Sequence, residues 1–244
     1  MEIHEYEYLK SLVENVTEIG LINEGIFVMG SSKEDEGTKN LIYINDIDGW
    51  IRNINYLIKS INFSADTVLT LLKSKEIKSF SFWGDENREE YYYTENIMFR
   101  LVTMWDLLAQ ITNTALELQN RVDSIHYKAF FEKLSNENNL GKSFFELAKE
   151  IKEYIKDKED DTSENPWKGN HNFVDNLRNS FTHRLNPHLV NFHNGLFKND
   201  ISKQNISIPV PPIYELKRLL EDYVQVYKFI CKVLKHFIKD ITFE

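Results

Sequence analysis

The chain has 244 residues, of which 42% are hydrophobic, so it can bury a substantial core and disorder along its whole length is excluded. Its formal net charge of −9 argues against a protein that coats nucleic acid over a broad surface, because phosphate binding needs positive charge, but a local site stays open. The single cysteine, Cys231, excludes an intramolecular disulfide and every multi-cysteine metal site, and it fits a reducing compartment.

The first residues of the chain do not have the pattern expected of an export signal. Residues 1–10 lack the basic start and the apolar core of a signal peptide. No stretch approaches the roughly 18 apolar residues that a membrane-spanning helix needs. We therefore expect a cytoplasmic protein that does not span a membrane.

The first 45 residues have a mixed pattern. A short helix is predicted over residues 4–15, followed by two runs rich in β-branched and aromatic residues, 25–29 and 41–44. Two such runs separated by a polar stretch predict a β-hairpin with a long loop. The predicted organisation is therefore an appendage over residues 1–45 and a helical domain over residues 46–244.

The rest of the chain reads as helical. Glycine and proline are scarce, with 9 and 5 residues, which favours long elements over a turn-rich sandwich. Apolar residues recur at spacings of three and four. The predicted helices are residues 46–61, a segment following Ser64, and residues 89–120, 143–156, 172–185 and 213–240. The predicted fold class is all-α, a bundle of long antiparallel helices, with the appendage as a small addition.

Two of these helices carry conspicuous polar faces. In residues 89–120, a stripe at spacings of three and four includes Arg100, Asp106 and Asn113. It is interpreted either as a solvated face or as a face that turns one of these side chains toward a polar cleft. In the last helix, basic residues alternate with acids that include Glu215 and Asp222. We interpret these charges as a solvated face, with contact to a nucleic-acid backbone as the alternative.

The stretch between Trp167 and Lys198 has a different electrostatic character, because it contains one acid and four of the seven histidines. Within it stands Arg178-Asn179-Ser180-Phe181-Thr182-His183. An Arg-Asn pair followed by three residues and a His, on a late helix of an all-helical chain, resembles the motif of the HEPN superfamily, the higher eukaryotes and prokaryotes nucleotide-binding domain. The resemblance covers about residues 46–240.

The resemblance implies a HEPN-like helical bundle from a family in which many members cleave RNA without a metal ion and others only bind nucleotides or partners. Catalytic members commonly dimerise so that two motifs face one groove. A toxin or defence role is also implied, with RNA cut to a 2′,3′-cyclic phosphate and a 5′-hydroxyl. The expected partners are single-stranded RNA, a second copy of the chain and an antitoxin or regulatory protein. No cofactor and no metal ion are expected.

The residue types suit this chemistry on their own account. Metal-free RNA cleavage needs a group that moves protons and a cation that holds the phosphate as charge develops. Histidine, with an ordinary pKa of about 6.5, suits the first task, so His183 is a candidate. The planar fork of Arg178 suits the second, and Asn179 could orient the phosphate or the ribose. On a helical wheel Arg178 and His183 lie about 140° apart, which favours an unwound helix end or a second subunit.

Further residues complete the predicted site as substrate-binding groups: Arg184, Thr182, His188 and Arg100. The alternative without a functional site is that Arg178 pairs with Asp175 or another acid and that His183 is an ordinary histidine at a helix end. Histidines 183, 188 and 193 recur every five residues, but metal-binding pairs on a helix sit three or four apart, which argues against zinc. The alternative functions are a non-catalytic module that binds a nucleotide, RNA or protein partner, and a purely structural scaffold.

Overall fold

The computed structural model describes residues 3–23, 36–74, 87–118, 120–136, 142–158, 168–183, 186–193 and 205–240. Within these ranges the regular structure consists of seven α-helices, one 3₁₀ turn and one two-stranded antiparallel sheet. The prediction of a helical bundle is confirmed, and the small sheet is an addition to it. None of the described helices is long and apolar enough to cross a membrane.

The helices are, in chain order, α1 (Ile3–Glu14), α2 (Glu36–Ser74), α3 (Arg88–Ala115), α4 (Tyr127–Leu134), α5 (Lys142–Lys156), α6 (Asn170–His183) and α7 (Pro212–Asp240). The 3₁₀ turn Val122–Ser124 precedes α4. Strands β1 (Asn191–His193) and β2 (Asn205–Ser207) pair with Phe192 opposite Ile206. They lie between α6 and α7, outside the predicted helices.

Helix α3 lies at the centre of the bundle, because it packs on both α2 and α7. Its apolar residues at spacings of three and four are removed from solvent, among them Ile97, Leu101 and Trp105. Matching apolar stripes of α2 and α7 complete the core. The apolar spacing in the sequence therefore predicted correctly which faces of these helices are buried.

The prediction of a second hairpin strand at residues 41–44 is wrong. Residues 41–44 belong to α2, a single helix of 39 residues. Ile44 is buried in the bundle, and the Tyr43 hydroxyl donates a hydrogen bond of 2.7 Å to the carbonyl of Ala115 on α3. A run of four apolar residues does not distinguish strand from helix, and here packing against α3 decides for the helix. The first predicted strand, residues 25–29, lies outside the described residues.

Helix α2 also crosses two positions where the sequence suggested a break. The Ser64 hydroxyl donates to the carbonyl of Ser60 at 3.0 Å, so it is satisfied inside the helix and does not end it. The helix likewise passes residue 45 without interruption. Leu9 of α1 is buried in the same core as α2 and α7. The division into an appendage over residues 1–45 and a separate helical domain stays a prediction.

Candidate functional site

Helix α6 carries the motif and is held in the bundle by a narrow apolar face. The chain enters it through Gly169, whose φ of 70° is a left-handed conformation that glycine adopts without strain. Val174 and Leu177 are the side chains of α6 that belong to the buried apolar core. Phe173 and Phe181 pack against it while remaining partly exposed. Arg178 follows Leu177 at the edge of this face.

Among the described residues the guanidinium of Arg178 forms no ion pair, although its charge acts on the carboxyl of Asp106 on α3. Its Nε is buried and makes no hydrogen bond. Asp175, the acid that the sequence offered as its partner, pairs with Lys128 of α4 instead, with Nζ 2.6 Å from Oδ2. Asn179 donates to the same carboxylate at 3.2 Å. The structure therefore leaves Arg178 as a partly buried cation whose nearest acid along the helix is already engaged.

Helix α3 supplies the opposite wall. It runs antiparallel to α6, since Trp105 contacts His171 with ring centroids 4.5 Å apart and Phe99 contacts Phe181 at 6.2 Å. Asp106 follows Trp105 and is partly buried. Burial raises the pKa of its carboxyl, while the backbone N–H of Tyr127 and the charges of His126 and Arg178 oppose that shift. Of the polar stripe on α3, Asp106 thus comes close to the motif helix.

Other predicted site residues make contacts along their own helices. The Thr182 hydroxyl is exposed and donates to the carbonyl of Arg178 at 3.2 Å. Arg100 donates through Nη1 to the side-chain oxygen of Asn96 at 2.8 Å and to its carbonyl at 3.2 Å. Because Arg100 adjoins Phe99, it belongs to the part of α3 that runs beside the end of α6. The side chain of His183 and the whole of Arg184 lie outside the described residues.

His188 occupies a different environment from the one expected of a substrate-binding residue. It is 6% exposed, and its Nε2 lies 2.9 Å and 3.1 Å from the two carboxylate oxygens of Glu215. Its ring stacks on Tyr91 at 4.2 Å and meets the edge of Phe181 at 4.8 Å. This burial takes His188 out of the set of residues that we propose to contact RNA.

A buried polar network lies beside the motif helix. Asp222 of α7 is 0% exposed and accepts hydrogen bonds from Tyr154 at 3.0 Å and from the indole of Trp105 at 3.0 Å. His171 Nδ1 lies 3.3 Å from the same carboxylate. If Nδ1 carries the proton, Nε2 is free to accept the hydroxyl of Tyr127, which lies 2.9 Å away. The carboxylate of Asp222 thereby connects α3, α5, α6 and α7. The imidazole of His171 links α4 to the same network through the hydroxyl of Tyr127.

The sequence interpretation missed this network because it assigned the charges of α7 to a solvated face. Glu215 and Asp222 are 0% exposed and Arg218 is 1% exposed, so for these three residues that assignment is wrong. Their spacings of three and four match those of the buried Leu219 and Val226 on the same helix. In the sequence, this shared spacing was the sign that the three charged residues lie on the buried face of α7. Residue type alone favoured exposure, since Asp, Glu and Arg are rarely buried unless paired.

The described helices pack as a helical bundle in which α6, the last helix but one, carries Arg178 and His183. A family model described as HEPN_Cthe2314-like HEPN matches residues 50–242. The chain therefore belongs to the HEPN superfamily, as its resemblance to that superfamily predicted. No curated protein and no solved structure gives a significant match. Membership supports a nucleotide-binding or ribonuclease-like module in general.

Proposed function

We propose that this protein is a metal-independent endoribonuclease of HEPN type that cleaves single-stranded RNA by general acid/base chemistry. The observation that carries the proposal is the guanidinium of Arg178. Its Nε is buried without a hydrogen-bond partner, and the nearby carboxylate of Asp175 is held by Lys128. Leaving a buried charged donor unsatisfied costs free energy, so a cation in this state is suited to an anionic ligand such as a phosphate.

In the proposed reaction Arg178 grips two oxygens of the scissile phosphate and stabilises the charge that develops there. His183 moves the proton, either from the attacking 2′-hydroxyl or to the departing 5′-oxygen. The last turn of a helix favours an imidazolium, because carbonyl groups point toward it, which suits proton donation. The P–O5′ bond breaks as the P–O2′ bond forms, which gives a 2′,3′-cyclic phosphate and a 5′-hydroxyl.

The neighbouring residues have supporting roles in this proposal. Asn179 orients the phosphate or the ribose, and the exposed hydroxyl of Thr182 binds a ribose or a phosphate oxygen. Arg100 and Arg184 bind flanking phosphates, and such contacts fix the position of the strand without reading its sequence. Their place beside the end of α6 is what supports Arg100 and Thr182 in these roles.

Two copies of the chain combine in the proposed active form. Arg178 and His183 stand five residues apart on α6, which places them about 140° apart around the helix axis. A phosphate held by Arg178 of one copy is reached more easily by His183 of the second copy, across a groove that the two copies share. On family grounds we also propose a toxin or defence role in the cytoplasm, with an antitoxin or regulatory protein as a further partner.

The test is cleavage of a single-stranded RNA by the purified full-length chain in EDTA, with chemical analysis of the product ends. Arg178→Ala and His183→Ala are each expected to lower the rate by about 10²-fold or more. Arg178→Lys keeps the charge but removes the fork, so it should also be impaired. Arg121→Ala is the matched control, because Arg121 is exposed and its guanidinium pairs with Asp123 beside it. Unchanged cleavage in both alanine variants would remove these residues from the active site.

A non-catalytic binding module is the second candidate, because the motif offers no second acid or base beside His183 and the net charge of −9 leaves little positive surface for a long RNA strand. It predicts binding of an RNA oligonucleotide without turnover. Fluorescence anisotropy with a 2′-deoxy-substituted strand separates the two functions. Binding that Arg178→Ala abolishes, together with no cleavage of ordinary RNA, would establish the module and overturn the enzyme.

A further inference from the structure

Helix α7 presents a buried charged face to the motif helix. Glu215, Arg218 and Asp222 stand at spacings of three and four, so they project from one side of α7. Their exposed fractions are 0%, 1% and 0%. Burying charges costs free energy, and apolar residues of similar volume often serve stability as well or better. Stability alone therefore does not account for this face.

At the beginning of α6, three side chains of α7, separated by three positions and one, hold the chain. Arg218 donates through Nη2 to the carbonyl of Lys168 at 3.0 Å. The amide of Asn170 donates to Glu221 at 2.9 Å. Asp222 holds the imidazole of His171. The first turn of α6 is thus fixed against α7 by directional hydrogen bonds.

Beyond the end of α6, the same face of α7 holds the chain again. Glu215 contacts His188 through both carboxylate oxygens, and His188 stands five positions after His183. The ring of His188 also meets Phe181, which lies inside the motif. The backbone N–H of His188 donates to the side chain of Asn186 at 2.8 Å, which fixes the turn between them. Glu215 therefore limits where the last turn of α6 can lie.

We propose that the buried charged face of α7 (Glu215, Arg218 and Asp222) positions the motif helix by holding both of its ends, and that His171 and His188 are positioning residues for the Arg178 and His183 site. The proposal rests on the proposed function for its catalytic readout. The apolar anchoring of α6 is slight, since Val174 and Leu177 are its core side chains among the described residues. An apolar contact tolerates sliding, whereas a carboxylate–imidazole contact has one preferred geometry. A shift of about 1 Å in a reacting group can cost about 10²-fold in rate.

The test uses the contact between His188 and Glu215. The double substitution His188→Leu with Glu215→Leu removes both polar partners, so no charge is left buried alone and the fold is retained. His188→Gln keeps a side-chain N–H that can donate to Glu215, so it is the rescuing variant. Ile230→Val, a core change further along α7, is the matched control for a general loss of stability.

Two readouts are measured on the full-length chain: kcat and KM for a single-stranded RNA, and hydrogen exchange of the backbone amides of residues 177–183. The double-leucine variant is expected to lose about 10²-fold in kcat with KM little changed, and to lose exchange protection in residues 177–183 while its overall unfolding midpoint stays close to that of the wild type. His188→Gln should keep most of the wild-type kcat and most of the exchange protection of residues 177–183. Ile230→Val should leave kcat unchanged.

The outcomes separate this proposal from the proposed function. If the wild-type chain cleaves no RNA, the ribonuclease proposal fails, and the exchange protection of residues 177–183 alone decides the positioning role. If the double-leucine variant keeps wild-type kcat and wild-type protection, the positioning role is overturned. It is equally overturned if protection falls evenly over the whole chain, because the pair would then serve only general stability.

Discussion

The carboxylate of Asp222 offers a direct test of how much the buried network contributes to stability. Asp222→Leu leaves three donors without their acceptor: the indole of Trp105, the hydroxyl of Tyr154 and Nδ1 of His171. Each unsatisfied buried donor costs about 1–3 kcal/mol, so three of them cost about 3–9 kcal/mol. Since domains of this size are stable by about 5–15 kcal/mol, the variant should be severely destabilised or unfolded.

Asp222→Asn distinguishes the acceptor role from the charge. The carbonyl of an asparagine can replace Oδ2, the oxygen that Trp105 and His171 share. The amide then faces the hydroxyl of Tyr154, which can accept from it. With all three groups still paired, only the charge assistance is lost, and we expect a cost of about 1–2 kcal/mol.

The assay is urea unfolding followed by circular dichroism. Variants are compared when the free energy of unfolding falls with urea concentration at the same slope. Asp66→Leu serves as the control, because Asp66 is half exposed and its contact with Lys10 lies at the surface. Such a pair contributes about 0–1 kcal/mol. If the free energy of unfolding of Asp222→Leu lies within about 1 kcal/mol of the wild-type value, the three donors do not depend on this carboxylate.

Three further substitutions test the surroundings of Arg178 and the course of α2. Burial raises the pKa of the Asp106 carboxyl in the folded state above its ordinary value of 3.8, so the free energy of unfolding falls as the pH rises from 3.8 through the raised pKa. Asp106→Asn should remove this loss, and urea midpoints measured across that pH range would show it. Lys128→Ala releases Asp175 to pair with Arg178, three residues further along α6, so RNA affinity measured by anisotropy should fall about two-fold, and adding Asp175→Asn should restore it. Tyr43→Phe removes the hydrogen bond to Ala115 and should lower the free energy of unfolding by about 0.5–1.5 kcal/mol in urea; no change would contradict the packing of residues 41–44 on α3.

The sequence predicted the fold where a periodic signal extended over many residues. The stripes of α3 and α7 identified their buried faces, because an apolar side chain on a regular face has one favourable place. The signal was insufficient at residues 41–44, where four apolar residues fit a strand as well as a helix. It was misleading on α7, where Glu215 and Asp222 share the buried face although their residue types favour water.

The site was predictable as a segment but not as a set of contacts. The arginine-histidine pattern located α6, since the residue types and their spacing are visible in the chain. Whether Arg178 has a partner depends on Lys128, about fifty residues earlier, which reaches Asp175 only once α4 lies beside α6. His188 looked like part of the site because it is near in sequence, and only the packing of α7 reveals Glu215 as its partner. Contacts of this kind follow from tertiary structure and have no local signature.

The local character of Arg178 arises from how the acids around it are engaged rather than from an excess of cations. In a chain of net charge −9, an arginine would ordinarily find a carboxylate. Here Asp175, three residues before Arg178 on α6, is occupied by Lys128. Asp106 remains, and burial raises the pKa of its carboxyl although the charge of Arg178 opposes that shift. If a phosphate binds at Arg178 as proposed, its negative charge would raise that pKa further, so ligand binding and protonation of Asp106 would reinforce one another.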